Sequence, residues 1–469
     1  MITKREKSAV KKCDKAVKDI TQSAKDEKKK QLLAIKQQRS SQKIKNEEWG
    51  RLGNWLTLDN AGIIYPSIRE ENWDFVYRVS VLLKKPVDKA LLQQAVKDIT
   101  PRFPSFFVKL KTGFFWTYFE EHSDLLVIEE EKDFPCSRFK KGSASHLIRV
   151  LYYKNRISVE CFHALADGRS ALKLLNSLVK HYMELQGMEF SSEIGCLNYL
   201  DKPKPEEISD SFSDYVDDSK KLKHKEVKAY RIKGSQEDFG VVNSTIAQIS
   251  VTQLKQVAKQ HNCKMFELIL AVLGFAIWKR APKKTKQPIK ISVPVDLRQF
   301  FESESLRNFS GYLNVEIPIK KEYKLEEIID IVKNEMAKID KPRMQGFINS
   351  NVAIKSNFFI KIIPLFIKNF FINMFFKIWG EGYQTLAVSN LGLNKVPEEF
   401  EQSVERFEFN VGRPKYNAKS MGLISFGDKL VCTISSKIKE NATEKDFITI
   451  LSSLGLDITI ESNRRDLYE

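Results

Sequence analysis

A histidine, an aspartate and a glycine lie close together after a predicted strand. The stretch is RISVECFHALADGRSALKLLNSLVKHY, from Arg156 to Tyr182, and it contains His163, Asp167 and Gly168. Imidazole titrates near neutral pH, so a positioned histidine can take the proton of a hydroxyl group that attacks a carbonyl carbon. The alternative is a histidine that only fills a strand end. The strand–histidine–helix pattern alone favours that alternative.

The neighbouring residues predict the elements that hold His163. Apolar and polar residues alternate over 157–162, which is typical of a strand. Apolar residues then recur at the 3.6-residue spacing of a helix, at Ala171, Leu172, Leu174, Leu175, Leu178, Val179 and Tyr182. His163 is therefore predicted at a strand-to-helix corner, where loops on a rigid scaffold carry functional groups.

The rest of the chain predicts an α/β (α+β) protein in two halves. Strand and helix patterns alternate over 47–187 and again over 241–469. Between them, 188–240 is rich in Ser, Asp and Pro without a sustained period, which indicates a linker. A length of 469 residues also favours more than one domain.

Most of the net charge of +17 lies in the N-terminal segment 1–46. This segment holds 15 Lys and Arg against 5 Asp and Glu. It has no aromatic residue to stack on bases and no nucleic-acid motif, so we predict no specific nucleic-acid partner. The favoured interpretation is a solvated, partly helical or disordered segment, and the alternative is a tether to anionic lipid or RNA.

The cysteines and histidines indicate neither disulfides nor a metal site. The six cysteines are scattered without a CxxC pair, which is typical of reduced thiols and predicts a cytoplasmic protein. His261 with Cys263, and Cys161 with His163, are close pairs without a second pair at metal-site spacing. No signal-peptide pattern opens the chain.

The most apolar stretch is NFFIKIIPLFIKNFFINMFFKIW, residues 357–379, with seven Phe. Lys361, Lys368 and Lys377 interrupt it and Pro364 would kink it, so a membrane span is the least favoured interpretation. A helix packed in the core is the first interpretation. A helix lying in a membrane surface, which admits a hydrophobic substrate, is the second.

With these residues in view, the chain resembles the CoA-dependent acyltransferase superfamily. HALADG, residues 163–168, is similar to the HxxxDG motif of chloramphenicol acetyltransferase, condensation domains and alcohol acetyltransferases. Residues 249–277, SVPVDLR (292–298) and VSNLG (388–392) follow in the order of similar segments in the alcohol acetyltransferase branch. The likeness covers about 49–465. Condensation domains usually have a further histidine where this chain has Phe162, which favours the alcohol acetyltransferase branch.

The resemblance implies a fold and a set of roles. It implies two chloramphenicol acetyltransferase-like halves, each a two-layer sandwich, with the active-site channel between them. His163 would be the general base, Asp167 would pair with Arg298 to hold the loop, and Gly168 would permit a tight turn. Ser389 and Asn390 would stabilise the oxyanion or line the channel.

The implied reaction is transfer of an acyl group, acetyl first, from a CoA thioester to a small hydrophobic or alcohol acceptor, without a covalent acyl-enzyme. Acyl-CoA is then a co-substrate, with no bound cofactor, and a monomer is expected. Two alternatives stay open: a condensation-type enzyme that takes its acyl group from a carrier protein, and a catalytically silent binding relative.

Overall fold

The computed structural model describes residues 55–70, 73–139, 145–217, 227–238, 240–356, 362–379 and 381–464. The predictions for the N-terminal segment 1–46 lie outside the described residues.

The strands are numbered in chain order. They are β1 (Trp55–Thr57), β2 (Val76–Leu83), β3 (Val108–Thr112), β4 (Thr117–Glu121), β5 (Glu129–Glu130), β6 (Ile148–Tyr153), β7 (Arg156–Phe162), β8 (Asn243–Ser250), β9 (Ile289–Asp296), β10 (Ser310–Ile317), β11 (Leu386–Leu393), β12 (Val404–Asn410), β13 (Lys419–Phe426), β14 (Lys429–Ser436) and β15 (Ile458–Ser462).

The helices of the described residues are numbered likewise. They are α1 (Ile64–Ser67), α2 (Lys89–Ile99), α3 (Gly168–Leu185), α4 (Pro205–Ile208), α5 (Ser211–Asp214), α6 (Val251–Gln260), α7 (Met265–Arg280), α8 (Leu325–Met336), α9 (Lys341–Ser356), α10 (Leu365–Trp379), α11 (Phe400–Ser403) and α12 (Ala442–Ser453).

The first half is built on a five-stranded sheet in the order β12-β2-β7-β6-β5. Strand β7 pairs antiparallel with both β2 and β6, and helices α2 and α3 pack against each other beside this sheet. The residues of β7 after Arg156 are buried on both faces. The polar face of β7 therefore needs internal partners, and Glu160 pairs with Arg78 and Arg149.

The second half is built on a seven-stranded sheet in the order β10-β9-β11-β13-β14-β8-β15. Its apolar core includes almost the whole of α7, from Leu268 to Trp278, packed with residues of α6, α8 and α12. Two helix-covered sheets confirm the predicted α/β fold class. A third sheet, β1-β4-β3, belongs to the first half.

One strand crosses between the halves. Strand β12 comes from the second half of the chain, yet it forms the edge of the first sheet by pairing antiparallel with β2. The two sheets therefore share a covalent connection in addition to packing contacts.

The segment between the halves contacts both of them. Glu207 of α4 is buried and accepts two hydrogen bonds from the guanidinium of Arg102, at 2.6 and 2.8 Å. Its carbonyl oxygen accepts a hydrogen bond from the N–H of Leu306 in the second half. This part of 188–240 is thus held on both sides, and the domain boundaries themselves stay a prediction.

The first interpretation of the apolar segment 357–379 is wrong for its described part. Helix α10 begins at Leu365, directly after Pro364, and Leu365 itself is buried. However, Phe366 is 70% exposed and Phe370 is 66% exposed. The period of the helix places its apolar residues on more than one face, and the body of the protein covers only part of them.

No single helix among the described residues is long and apolar enough to cross a membrane. Helices α6 and α7 would pass on length and composition as a pair bent by 77°. Since α7 lies in the core of the second half, this pair is explained by core packing.

Candidate active site

The loop after β7 is held by hydrogen bonds from two other elements. The N–H of His163 donates to the carbonyl oxygen of Phe75 at 2.8 Å, which extends the pairing of β7 with β2 by one residue. The side-chain amide of Asn308 donates to the carbonyl oxygen of His163 at 3.1 Å. The position of the histidine is therefore fixed by its backbone, which leaves the imidazole ring available.

The imidazole of His163 lies between two tyrosine rings. Tyr65 stacks on it, with ring centroids 4.5 Å apart and planes 16° from parallel. Tyr77 meets it edge-on at 5.1 Å and donates its hydroxyl hydrogen to the carbonyl oxygens of Ala166 and Asp167. These rings restrict the orientation of the imidazole.

The environment of His163 keeps the ring neutral. Nδ1 is enclosed and has no hydrogen-bond partner, while the residue as a whole is only partly buried. The accessible surface of the ring therefore lies away from Nδ1. Burial lowers the pKa of His163 below its ordinary value of 6.5, against opposing contributions from its own carbonyl group and from Asp167. A neutral imidazole with one accessible edge can accept a proton at neutral pH.

Asp167 begins helix α3 and uses both carboxylate oxygens. Oδ1 accepts hydrogen bonds from the N–H and the hydroxyl of Ser170, at 3.0 and 2.8 Å, which caps the helix. Oδ2 accepts from Arg298 Nη1 at 2.8 Å and from the N–H of Phe309 at 3.0 Å. Burial alone would raise the pKa of Asp167, but the Arg298 guanidinium and these N–H groups hold it below its ordinary value of 3.8.

Arg298 follows β9 and is largely buried. Besides Asp167, its Nη1 donates to Asp296 Oδ1 at 3.0 Å. Its Nε and Nη2 donate to the carbonyl oxygens of Ser305 and Arg307. The structure thus brings Asp167 of the first half and Arg298 of the second half into direct contact.

Three residues of this site gave no signal in the sequence. Asp59 is fully buried, and its Oδ2 accepts a hydrogen bond from the side chain of Asn308 at 3.1 Å and lies 3.7 Å from Arg307 Nε. Burial raises the pKa of Asp59 to about 6, against the charge of Arg307. Asn308 in turn holds His163 by its carbonyl oxygen. No motif or spacing marks these residues, because their partners are far away in the chain.

The structure gives a reason for glycine at position 168 that differs from the predicted tight turn. Its backbone lies outside the left-handed region, so no glycine-only turn is needed. A Cβ atom at Gly168 would instead lie 3.0 Å from Leu391 Cδ2 and 3.2 Å from Phe409 Cζ. The glycine therefore permits close packing of the motif against two strands of the second half.

Ser389 and Asn390 lie inside strand β11, which pairs in parallel with β13. Asn390 is exposed, and its Oδ1 accepts a hydrogen bond from the N–H of Gly392 at 2.8 Å. Among the described residues, the contact of this segment with the motif is made by Leu391, next to Gly168. A role of Ser389 or Asn390 toward the substrate stays a prediction.

A cavity of about 620 Å³ lies elsewhere, between the two sheets. Its lining includes Glu131, which pairs with both Arg78 and Arg156, and it does not include His163. Because the cavity is separate from the loop that carries His163, we do not place the chemistry there. The described residues contain no cluster of three His, Cys, Asp or Glu that could hold a metal ion.

Comparison of structures finds solved proteins with this fold, whereas comparison of sequences finds no match. No protein-family model and no curated protein matches the chain. The structure is similar to the trichothecene 15-O-acetyltransferase of Fusarium sporotrichioides, with a TM-score of 0.53 and 13% identity over 86% of this chain and 97% of that one. A second F. sporotrichioides protein, solved with coenzyme A and T-2, gives 0.57 and 10% over 86% and 99%. The chain has the fold of the CoA-dependent acyltransferases.

The same fold is shared by a condensation domain of a polyketide synthase. The condensation domain of the monacolin K polyketide synthase is similar to this chain with a TM-score of 0.51 and 9% identity, over 86% of this chain and 97% of that domain. The predicted fold is thereby confirmed: two lobes of the acyltransferase type. At these identities the likeness concerns the fold, and the reaction has to be argued from the site.

Proposed function

We propose that this protein is an acyltransferase that moves an acyl group from a CoA thioester to an alcohol, with His163 as general base. Acetyl is the first candidate for the acyl group. The observation that carries the proposal is the geometry at His163: its backbone is fixed by two hydrogen bonds, and Nδ1 is enclosed while the residue is only partly buried. The likeness in fold to an acetyltransferase and to a protein solved with coenzyme A supports the choice of reaction.

The proposed chemistry needs no covalent enzyme intermediate. His163 takes the proton of the acceptor hydroxyl while the hydroxyl oxygen attacks the thioester carbonyl carbon. A C–O bond forms, the tetrahedral intermediate collapses, and the C–S bond breaks. The imidazolium then returns the proton to the CoA thiolate. Asp167 and Arg298 are positioning residues, because their contacts lead to the loop and not to the accessible edge of the ring.

The proposal predicts the pH dependence of the reaction. The pKa of His163 is lowered, so the base form persists below its ordinary value of 6.5. Activity should therefore be constant through pH 7 and fall only as the pH drops through a midpoint below 6.5. A profile of kcat/KM against pH measures this midpoint, and a midpoint above 6.5 would contradict the neutral, desolvated base.

The deciding experiment is incubation of the full chain with acetyl-CoA and a panel of alcohols, followed by free-thiol release and ester analysis. Thiol release that requires the alcohol and yields its ester supports the proposal. The matched control is His261→Ala, which removes a histidine remote from this loop. Thiol release at the same rate without any acceptor would indicate hydrolysis instead of transfer.

The second candidate is transfer from a carrier-bound thioester, favoured by the fold shared with the condensation domain. Acetyl groups offered on CoA and on a phosphopantetheinylated carrier protein separate the two. A preference for the carrier-bound donor would replace the donor in the proposal and keep His163 as the base.

A further inference from the structure

Two segments that are far apart in the sequence form one exposed aromatic surface. The turn between β3 and β4 presents Phe114, Phe115 and Trp116, all exposed. The N–H of Leu365 at the start of α10 donates to the carbonyl oxygen of Phe114 at 2.8 Å. Lys368 Nζ donates to the carbonyl oxygen of Phe115 at 3.0 Å and lies 4.8 Å from the ring centre of Trp116. We call these residues, with the exposed residues of the helical segment, the aromatic surface.

Helix α10 exposes a row of apolar side chains to solvent. The exposed apolar residues of the helix follow a four-residue spacing, Phe366, Phe370 and Met374, with Phe371 beside them. Such spacing places them along one side of a helix. Asn373 borders this row and its amide donates to the carbonyl oxygen of Ser67, while Phe376 and the buried Leu365 lie on the side that packs on the protein. A face this apolar marks an interaction site.

The charge of this segment indicates which partner binds the aromatic surface. The apolar segment 357–379 contains three Lys and no Asp or Glu, and Lys368 lies on the aromatic surface. A second copy of the chain, docked face to face, would bring these like charges together. An anionic lipid surface would neutralise them, and it would accept the Phe and Trp rings at the boundary between headgroups and acyl chains. Among the described residues, helix α10, with 15 residues, is too short to span the bilayer.

A row of aromatic rings leads from the packed side of helix α10 to His163. Phe376 of α10 contacts Phe75 at 5.9 Å between ring centroids, Phe75 contacts Tyr65 at 5.1 Å, and Tyr65 stacks on His163. We propose that the aromatic surface docks the protein on an anionic lipid membrane and that the apolar substrate reaches His163 from the membrane side. The second part of this proposal rests on the proposed acyl transfer. The first part does not.

The test is vesicle binding of the full chain, wild type against Phe366→Ser, Phe370→Ser and Phe371→Ser combined. The matched control changes three exposed apolar residues elsewhere, Val127→Ser, Ile194→Ser and Leu200→Ser. At about 0.5 M salt, attraction by the basic N-terminal segment is largely screened. We expect the aromatic triple variant to bind phosphatidylserine-containing vesicles about a hundredfold more weakly there, because three apolar side chains no longer enter the lipid. The control variant should bind as the wild type does.

Two outcomes would overturn the docking surface: equal binding by the aromatic triple variant, or a wild-type dimer that this variant converts to a monomer. Activity assays separate membrane docking from delivery of the substrate to His163. With a water-soluble alcohol and no vesicles, both variants should turn over like the wild type. With a long-chain alcohol dissolved in vesicles, only the aromatic triple variant should lose kcat/KM. Absence of acyl transfer in every assay, with vesicle binding intact, would refute the proposed function and leave the docking surface standing.

Discussion

The loop around His163 and the aromatic surface on α10 both depart from ordinary burial, in opposite directions. Around His163, the carboxylates of Asp167 in the loop and of Asp59 near it are buried. On the helix, Phe366 and Phe370 are exposed. In the loop, each carboxylate is compensated within the chain by guanidinium and N–H groups. On the helix, the exposed rings have no comparable cover in the described protein. A departure that is compensated internally indicates a rigid site, and one that is not indicates a partner outside the chain.

The largest effect is expected from removal of the proposed base. His163→Ala should lower kcat by about 10²–10⁴-fold, since a positioned general base contributes about that much. The melting temperature should change little, because the backbone bonds of residue 163 remain. The measurement is steady-state kinetics with thermal unfolding on the same samples. Near-wild-type transfer by this variant would remove His163 from the mechanism.

The next effect is on the buried ion pair. Asp167→Asn should reduce the free energy of unfolding by about 3 kcal/mol, because Arg298 keeps its burial and loses a counter-charge. The control is Arg169→Gln, which removes an exposed partner of Asp296 and should cost within about 1 kcal/mol. Denaturant unfolding of both variants measures the difference, and equal losses would show that the internal pair has no special weight.

The same pair has a predictable pH dependence. The folded-state pKa of Asp167 lies below its ordinary value of 3.8, so the folded protein binds fewer protons than the unfolded one in this range. The stability due to this shift is present above pH 3.8 and is lost as the pH falls through the folded pKa. The gap in stability between wild type and Asp167→Asn should therefore shrink only below pH 3.8.

The close packing at Gly168 should produce a smaller effect. Gly168→Ala places a methyl group 3.0 Å from Leu391 Cδ2 and 3.2 Å from Phe409 Cζ, and we expect a loss of about 1 kcal/mol from crowding. Adding Leu391→Ala should recover part of this loss, as residues in contact are coupled. Strict additivity of the two losses in denaturant unfolding would show that Leu391 is not the residue that requires glycine.

The smallest effect is expected on the aromatic surface. Phe366→Ser should change the free energy of unfolding by no more than about 0.5 kcal/mol, since the ring is already in solvent. Phe447→Ser, at a fully buried phenylalanine, should cost about 3–5 kcal/mol. If the two losses were similar, α10 would be part of the core and the comparison would fail.

The sequence could predict features whose residues are close together in the chain. The alternation before His163 and the helical spacing after it are local, and β7 and α3 begin and end close to their predicted positions. Arg298 was found only through a resemblance, because nothing local ties it to Asp167. Asp59 and Asn308 were missed, since their contacts join residues about 250 and 145 positions apart.

The apolar segment shows the opposite failure. A run of Phe, Ile and Leu predicts burial by composition, but composition does not say which surface provides the cover. The exposed rings of α10 depend on how α10 is placed against α1 and the β3–β4 turn, which is a property of the whole fold. The fold class was within reach of the sequence, and the assignment of buried and exposed faces on this helix was not.

The crossing strand β12 has a consequence for how the chain is made. During synthesis, β2 emerges early and finds β7 about eighty residues later, at the register Val76 to Phe162. Its other edge stays open until Val404–Asn410 leave the ribosome. An open strand edge invites pairing with other chains, so a nascent chain should be most prone to aggregate over that interval. Completion of the first sheet is thereby timed by the last quarter of the protein, and the first half should not be obtainable alone as a stable fragment.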